Sequence, residues 1–261
     1  MTKFIWLPRL RVSNANAQPS AWLVAAPSPT AYLGFAHQTG RVLGTYIRGV
    51  AVVHHHLEFR AEKLDRNILP HQFRAAGLVN GNDYASTNKH ALALQPSVRC
   101  NVTVSLALEC DDEAAIHADV LHDWLLRSRI AGGTISPDFE PPQVASDHDE
   151  LTKLPKTGFS LIERSDLMQP QATDRGHDRL DAFLRATSRE QRQTDPFISP
   201  ALLGYRAITA FKDRQRTRGD YPHAFAEPLI GLTQFKPVRE EGLKFWRYRR
   251  PNADLFLATT Q

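Results

Sequence analysis

Residues 97–110 read SVRCNVTVSLALEC, with Val98, Cys100, Val102, Val104, Leu106 and Leu108 at every second position. A period of two places these six side chains on one face of a single strand. Apolar residues on one face require a covering layer, so this stretch commits the chain to a sheet with something packed on it. A helix is expected next, capped by Asp111 or Asp112 and running to about Arg129. Its apolar stripe would be Ile116, Val120, Leu121, Trp124 and Leu125. Acidic residues fill its first turn and Arg127 and Arg129 its last, as the helix dipole favours.

The N-terminal forty residues repeat the pattern. Residues 4–12 alternate Arg9 and Arg11 with Leu10 and Val12, which predicts a strand with one buried face. The polar run Ser13-Asn14-Ala15-Asn16-Ala17 follows, suited to a turn or to binding through side-chain amides. Ser28 is placed as an N-cap with Pro29 at the first helical position, and Arg41 closes the helix. The helix end suits phosphate, and equally suits an ordinary capped β–loop–α unit. Residues 46–60 (YIRGVAVVHHHLEFR) form a second strand. Alternation puts His54, His56 and Glu58 on one face and His55 on the other; packing or RNA contact accounts for these better than a metal does.

Residues 61–97 are irregular and polar, with a hairpin signal at Asn80-Gly81 and basic residues Arg60, Lys63, Arg66 and Arg74. Gly132-Gly133 after the second helix is either a C-cap or a bare loop that lets a phosphate or sugar approach. Residues 157–163 predict a final strand. The order β-α-β-β-α-β defines the expected fold class: α+β, ferredoxin-like, over residues 1–165, with 61–97 inserted. Residues 166–261 form a C-terminal extension or small second domain. They open with a charged helix over 174–193, whose only apolar stripe is Leu180, Phe183 and Leu184. A basic segment holds Lys212, Arg214, Arg216 and Arg218, suited to tracking a phosphate backbone. Residues 222–232 read as an apolar turn and helix. Residues 245–250 (FWRYRR) interleave aromatics with arginines, as either a stacking surface or an amphipathic strand.

Composition narrows the function. The formal net charge of +4 is unevenly spread, acidic over 109–123 and 147–150 and basic over the last third. That polarity suggests a polyanion partner, or simply a solvated face. Cys100 and Cys110 are the only cysteines and form no CxxC pair, which fits a reducing cytoplasm and gives no support to a zinc site. No apolar run is long enough for a membrane and no signal-peptide core follows Met1, so a cytoplasmic protein without membrane contact is expected. HExxH, GxSxG and GKS/T motifs are absent. His37 is the sole histidine on the first helix, where a packed or solvated role is the usual one.

Four stretches carry a resemblance. LPRLRVSNANA…PSPTAYLGFAH at 7–37, SRIAGGTISP at 128–137, GFSLIERSDLM at 158–168 and fragments from Gly204-Tyr205 through 225–232 occur in one order. They are similar to the Cas-five-type subunit of type I-F CRISPR Cascade, the second subunit of the Csy complex. This chain looks shorter than the usual member, mainly between 140 and 200.

The resemblance implies a non-catalytic crRNA-binding subunit in antiviral defence, without cofactor. It implies that the subunit caps the guide's 5′ handle and seats the first Cas-seven-type backbone subunit, with residues 61–97 as a thumb. A Cas-eight-type large subunit and target double-stranded DNA, with its PAM, are further possible partners. The expected handle surface is Arg9, Arg11, Asn14, Asn16, Ser28, Thr30 and His37. Gly132 and Gly133 would allow close approach, Arg129 would hold a phosphate, and Lys212, Arg214, Arg216 and Arg218 would follow the backbone. The alternative is an endoribonuclease of the same fold using His37 or His54.

Overall fold

The computed structural model describes residues 2–20, 22–65, 67–73, 97–111, 117–169, 178–215 and 221–260. The chain starts with β1 (Lys3–Asn16), then α1 (Pro29–Leu43), β2 (Ile47–Phe59) and a small hairpin of β3 (Ala61–Leu64) and β4 (Asn67–Pro70). β5 (Gln72–Phe73) precedes β6 (Ser97–Cys110), and α2 (Ala118–Arg127) leads into β7 (Arg129–Ile130), β8 (Gly133–Ile135) and β9 (Gln143–Ala145). Next come α3 (His148–Thr152), β10 (Phe159–Glu163), α4 (Arg179–Ala186) and α5 (Gln191–Thr194). The chain finishes with β11 (Ile198–Ala207), β12 (Ala226–Pro237), α6 (Val238–Glu241), β13 (Phe245–Asn252) and β14 (Leu255–Thr259).

β6 spans the stretch whose alternation was cleanest, and it is the spine of the sheet. It pairs antiparallel with β1 on one side and β2 on the other, while β8 lies antiparallel on β1's far edge. The local order is therefore β8-β1-β6-β2. α1 and α2 cover one face. Leu10, Val12, Val52, Val102, Val104 and Leu106 pack there against Tyr32, Leu33, Phe35, Leu121 and Leu125. Pro29 opens α1 and Gly44, at φ +66°, ends it, which only a residue without a Cβ adopts freely.

The second half closes on itself. β13 pairs with Val50 and Ala51 of β2, and β10 pairs with Val53 and His54 on the same edge. β13, β14, β11, β12 and β10 then link in turn, so with β2 they make a ring of strands. Trp246 is wholly buried inside it and its indole N–H donates to the Leu161 carbonyl at 2.8 Å.

Several expectations are corrected. Residues 159–163 do not flank β1; β10 lies across the molecule between β12 and β2, and the outer neighbours of β1 are β8 and β9. Residues 226–237 are a strand, not a helix, because both edges of β12 find partners, in β11 and β10. α2 starts at Ala118, and Val120 is exposed while Leu121 and Leu125 are buried. In α4 the buried residues are Ala182 and Ala186, and Leu180 and Leu184 face outward. The histidine alternation fails as well. A bulge shifts the β2–β6 register between His54 and His56, so His54 faces α1 while His55 and His56 face the opposite side.

Candidate nucleic-acid interface

The face of the sheet opposite α1 and α2 changes character along its length. At one end Phe4, Trp6, Ala51, Val53 and Ala107 are covered by Leu151 of α3, Val238 of α6 and Phe245. At the other end it is open. The change falls at Pro8-Arg9, where β1 bulges against β6 and Arg9 takes φ +41°. The extra residue keeps Leu10 and Val12 on the core side and turns Arg9 and Arg11 out to solvent. A second bulge between Val12 and Ala15, with Asn14 at φ +58°, does the same for Asn14. Asparagine is among the few residues that tolerate this region.

Asn14 is the hub of the open end. Its Oδ1 accepts from the Arg60 guanidinium at 2.5 Å, its carbonyl from Arg99 at 3.4 Å, and its N–H donates to Asn101 Oδ1 at 3.2 Å. Arg129 reaches the Gly132 carbonyl at 3.3 Å and Thr134 Oγ1 at 3.4 Å, and Asn16 N–H donates to the Ala131 carbonyl at 2.8 Å. The fold thus gathers Arg9, Arg11 and Asn14 of β1, Arg60 at the end of β2, Arg99 of β6 and Arg129 of β7 at one open end. Two carboxylates offset part of that charge: Asp138 pairs with Arg11, and Glu58 accepts from Asn101 Nδ2 at 3.4 Å.

The expected residues divide. Arg9, Arg11, Asn14, Arg129 and Gly132 belong to this open end. Asn16, Ser28 and Thr30 line a neighbouring cavity of about 310 Å³ with Tyr205, Tyr248 and Phe256. Ser28 sits at the N-cap of α1, but its hydroxyl bonds to Thr30 Oγ1 at 2.7 Å rather than to the helix backbone. His37 is exposed on α1, the helix that covers the opposite face. Gly133 is not a bare surface. A Cβ there would stand 2.7 Å from Ala15 N, so its missing side chain serves the β8–β1 contact. Lys212 and Arg214 lie on the C-terminal half, where Arg214 stacks 4.6 Å over Phe225; Arg216, Arg218, Arg66, Arg74 and Asn80-Gly81 lie outside the described residues.

Arg99 and Asn101 were missed as site residues. Their signal was present in the alternation of 97–110, whose polar face they occupy with Thr103 and Ser105. Residues 245–252 form strand β13, in which Phe245 and Trp246 are core while Tyr248, Arg249 and Arg250 are at the surface.

Proton-transfer groups are poorly placed. His54 is buried between the rings of Tyr32 and Phe235, and burial, aided by His55, pushes its imidazole down to about 3. His55 lies beside a cavity of about 480 Å³ lined also by Trp6, Arg9, Ser105, Lys153 and Lys156. Burial and then Arg9 lower it to about 4. Arg9 can only donate to His55 Nδ1 (3.4 Å), which leaves the neutral ring's proton on Nε2, facing Ser105 Oγ at 2.7 Å. That tautomer donates to the serine and does not activate it. Cys100 and Cys110 are free and buried, with burial raising both thiols to about 12. Among the described residues no group of three His, Cys, Asp or Glu is arranged for a metal ion, and no helix is long and apolar enough to cross a membrane.

These features define a sheet protein with one helix-covered face and one basic, partly open face. Comparison gives the class a family. The family model described as CRISPR-associated protein (Cas_Csy2) matches residues 5–257, and the chain belongs to that family. It is 25% identical to the CRISPR-associated protein Csy2 of Pseudomonas aeruginosa (strain UCBPP-PA14), over 97% of this chain and 94% of the relative. The alignment runs over 324 residues against 261 in this chain, so the relative carries segments this chain lacks. A solved CRISPR protein from Archaeoglobus fulgidus aligns over 99% of this chain and 100% of its own, at 9% identity and a TM-score of 0.32.

Proposed function

We propose that this Csy2-family chain is a non-catalytic subunit of a type I-F Cascade that binds the 5′ handle of crRNA. The observation that carries the reading is the open basic face, where Arg60 and Arg99 bond to Asn14, Asn14 bonds to Asn101, and Arg9 and Arg129 are exposed on β1 and β7. Guanidinium groups neutralise phosphates, and amide groups read the sugar and base edges of an unpaired strand. The strand order β8-β1-β6-β2, all antiparallel with two helices on one face, supports a ferredoxin-like core over the first half. In that class the open face is the one that meets RNA. The buried His54 and the donating tautomer of His55 favour a scaffold over an endoribonuclease. The β3–β4 hairpin, leaving the sheet beside Arg60, supports the thumb that would meet a Cas-seven-type backbone subunit.

Seating of the backbone subunit, contact with a large subunit and a part in PAM recognition belong to the same reading, with family membership as their support. Target sequence would be read by guide pairing. The test is to purify the tagged chain from its host and sequence the RNA that accompanies it. Reads sharing one repeat-derived 5′ end followed by diverse spacers are expected. Random RNA, or repeat RNA cut by the chain alone in EDTA, would sink the proposal.

A further inference from the structure

The C-terminal strands carry a feature that the basic face does not need. Tyr205 of β11 lies opposite Phe256 of β14, and the Tyr248 ring of β13 packs against Phe256, 4.4 Å between centroids and tilted by 38°. Three aromatic residues thus form a row across three adjacent strands, and all three are exposed. The row is held in place. Gly204 lets β14 approach β11 so closely that a Cβ would stand 2.0 Å from the Phe256 carbonyl. Tyr248 OH donates to the Thr30 carbonyl at 3.2 Å, tying the row to the start of α1.

One side of the row bounds the cavity that contains Asn16, Ser28 and Thr30. The other bounds a cavity of about 420 Å³, within the usual range for small-molecule sites. Phe211, Arg249, Arg250 and Asp254 also line it, with small and aliphatic side chains between them. Arg250 lies 5.5 Å from the Phe211 ring and is fixed by a 2.8 Å bond to the Ala253 carbonyl. Burial and Tyr205 raise the Tyr248 phenol to about 12, so it stays neutral.

We infer that this aromatic row is a stacking platform for unpaired nucleobases of a single-stranded RNA, with the 420 Å³ cavity receiving one base. Flat rings next to guanidinium planes suit a base joined to a phosphate backbone, because the rings take the π-face and the arginines the charge. The Asp254 carboxylate can accept only, so it favours a base that presents an exocyclic amine. Asn16 and the Ala131–Gly132 loop join the cavity at the start of α1 to the open basic face, giving one strand a continuous route. The inference rests on the RNA-binding reading but concerns a different set of residues.

The test uses the full chain and fluorescein-labelled RNA octamers of cytidine, and an abasic octamer of the same length, followed by anisotropy over a salt series. Phe211→Ala with Tyr248→Ala is expected to weaken the cytidine octamer about tenfold, with the salt slope unchanged because both residues are neutral. Binding of the abasic octamer should not change. Phe211→Ala with Tyr248→Phe, which restores one ring, should recover part of the affinity and control for folding. Equal binding of the cytidine octamer by wild type and the Ala pair overturns the platform. If that pair instead fails to retain a neighbouring protein subunit on co-purification, the row is a protein-docking surface and the inference fails. A wild-type chain that binds neither octamer at low salt sinks the RNA-binding reading as well.

Discussion

The two halves of this molecule bury their strands in different ways. The β8-β1-β6-β2 sheet relies on α1 and α2 for one face and leaves part of the other face to water. The ring formed by β2, β13, β14, β11, β12 and β10 curls round inward side chains such as Leu161 and Trp246, which join the α1-covered core in one cluster. The outer surfaces differ accordingly. The open sheet presents arginines and amides held by hydrogen bonds to the bulged β1 backbone and to Asn14. The strand ring presents the aromatic side chains of Tyr205, Tyr248 and Phe256. A face left open in a hydrogen-bonded sheet can carry charge because its backbone is already paired and its core lies on the far side. A curled sheet must fill its inward positions with bulk, such as Trp246, and turns its outward positions to solvent.

The largest break in that comparison should come from Trp246→Ala. It removes a fully buried indole and leaves the Leu161 carbonyl without its donor, which should cost ~3–5 kcal/mol. Urea unfolding would show it as a lower midpoint; a destabilisation below ~1 kcal/mol would mean that closure of the ring does not depend on Trp246.

A smaller effect is expected at His54, where β2 pairs with Val104 of β6 on one edge and with Phe159 of β10 on the other. The unfolded chain would bind a proton there near pH 6.5, whereas the folded chain binds it only near 3. Between those values the unfolded state holds more protons, so stability falls as pH falls, by up to ~1.4 kcal/mol per pH unit. His54→Gln, which keeps a hydrogen-bonding partner for Tyr32, should flatten the acid limb of a stability–pH curve. An unaltered limb would show that the junction is not what makes the fold acid-sensitive.

Arg60→Ala with Arg99→Ala should change stability least, by less than ~0.5 kcal/mol, because both groups are at the surface. The same pair should lower the salt slope of single-stranded RNA binding by ~0.7 for each phosphate no longer neutralised. A large destabilisation with no change in slope would reverse the assignment of the open face from binding to structure.

Much of the first half was legible in the chain. The alternation of 97–110 matches β6 end to end, and Ser28-Pro29 located the start of α1. The resemblance in 7–37 and 128–137 pointed to the family that matches 5–257. Illegible were the bulges at Pro8-Arg9 and His55, since a bulge needs a partner strand one residue short, and no single strand records its partner's length. For the same reason His54 and His56 read as neighbours on one face, and Gly133 as a free loop.

The sequence by itself determined the local elements of this protein: where backbone alternates, where a helix can start, which segments carry charge. Only the tertiary structure decided which strand lies beside which. It sent β10 across the molecule to β2 and β12, made a strand of 226–237, and brought Tyr205, Tyr248 and Phe256 into a row from positions up to 51 residues apart. Side-chain periodicity is set by each residue's own backbone, whereas strand order is set by which edges are left unpaired once the rest has folded.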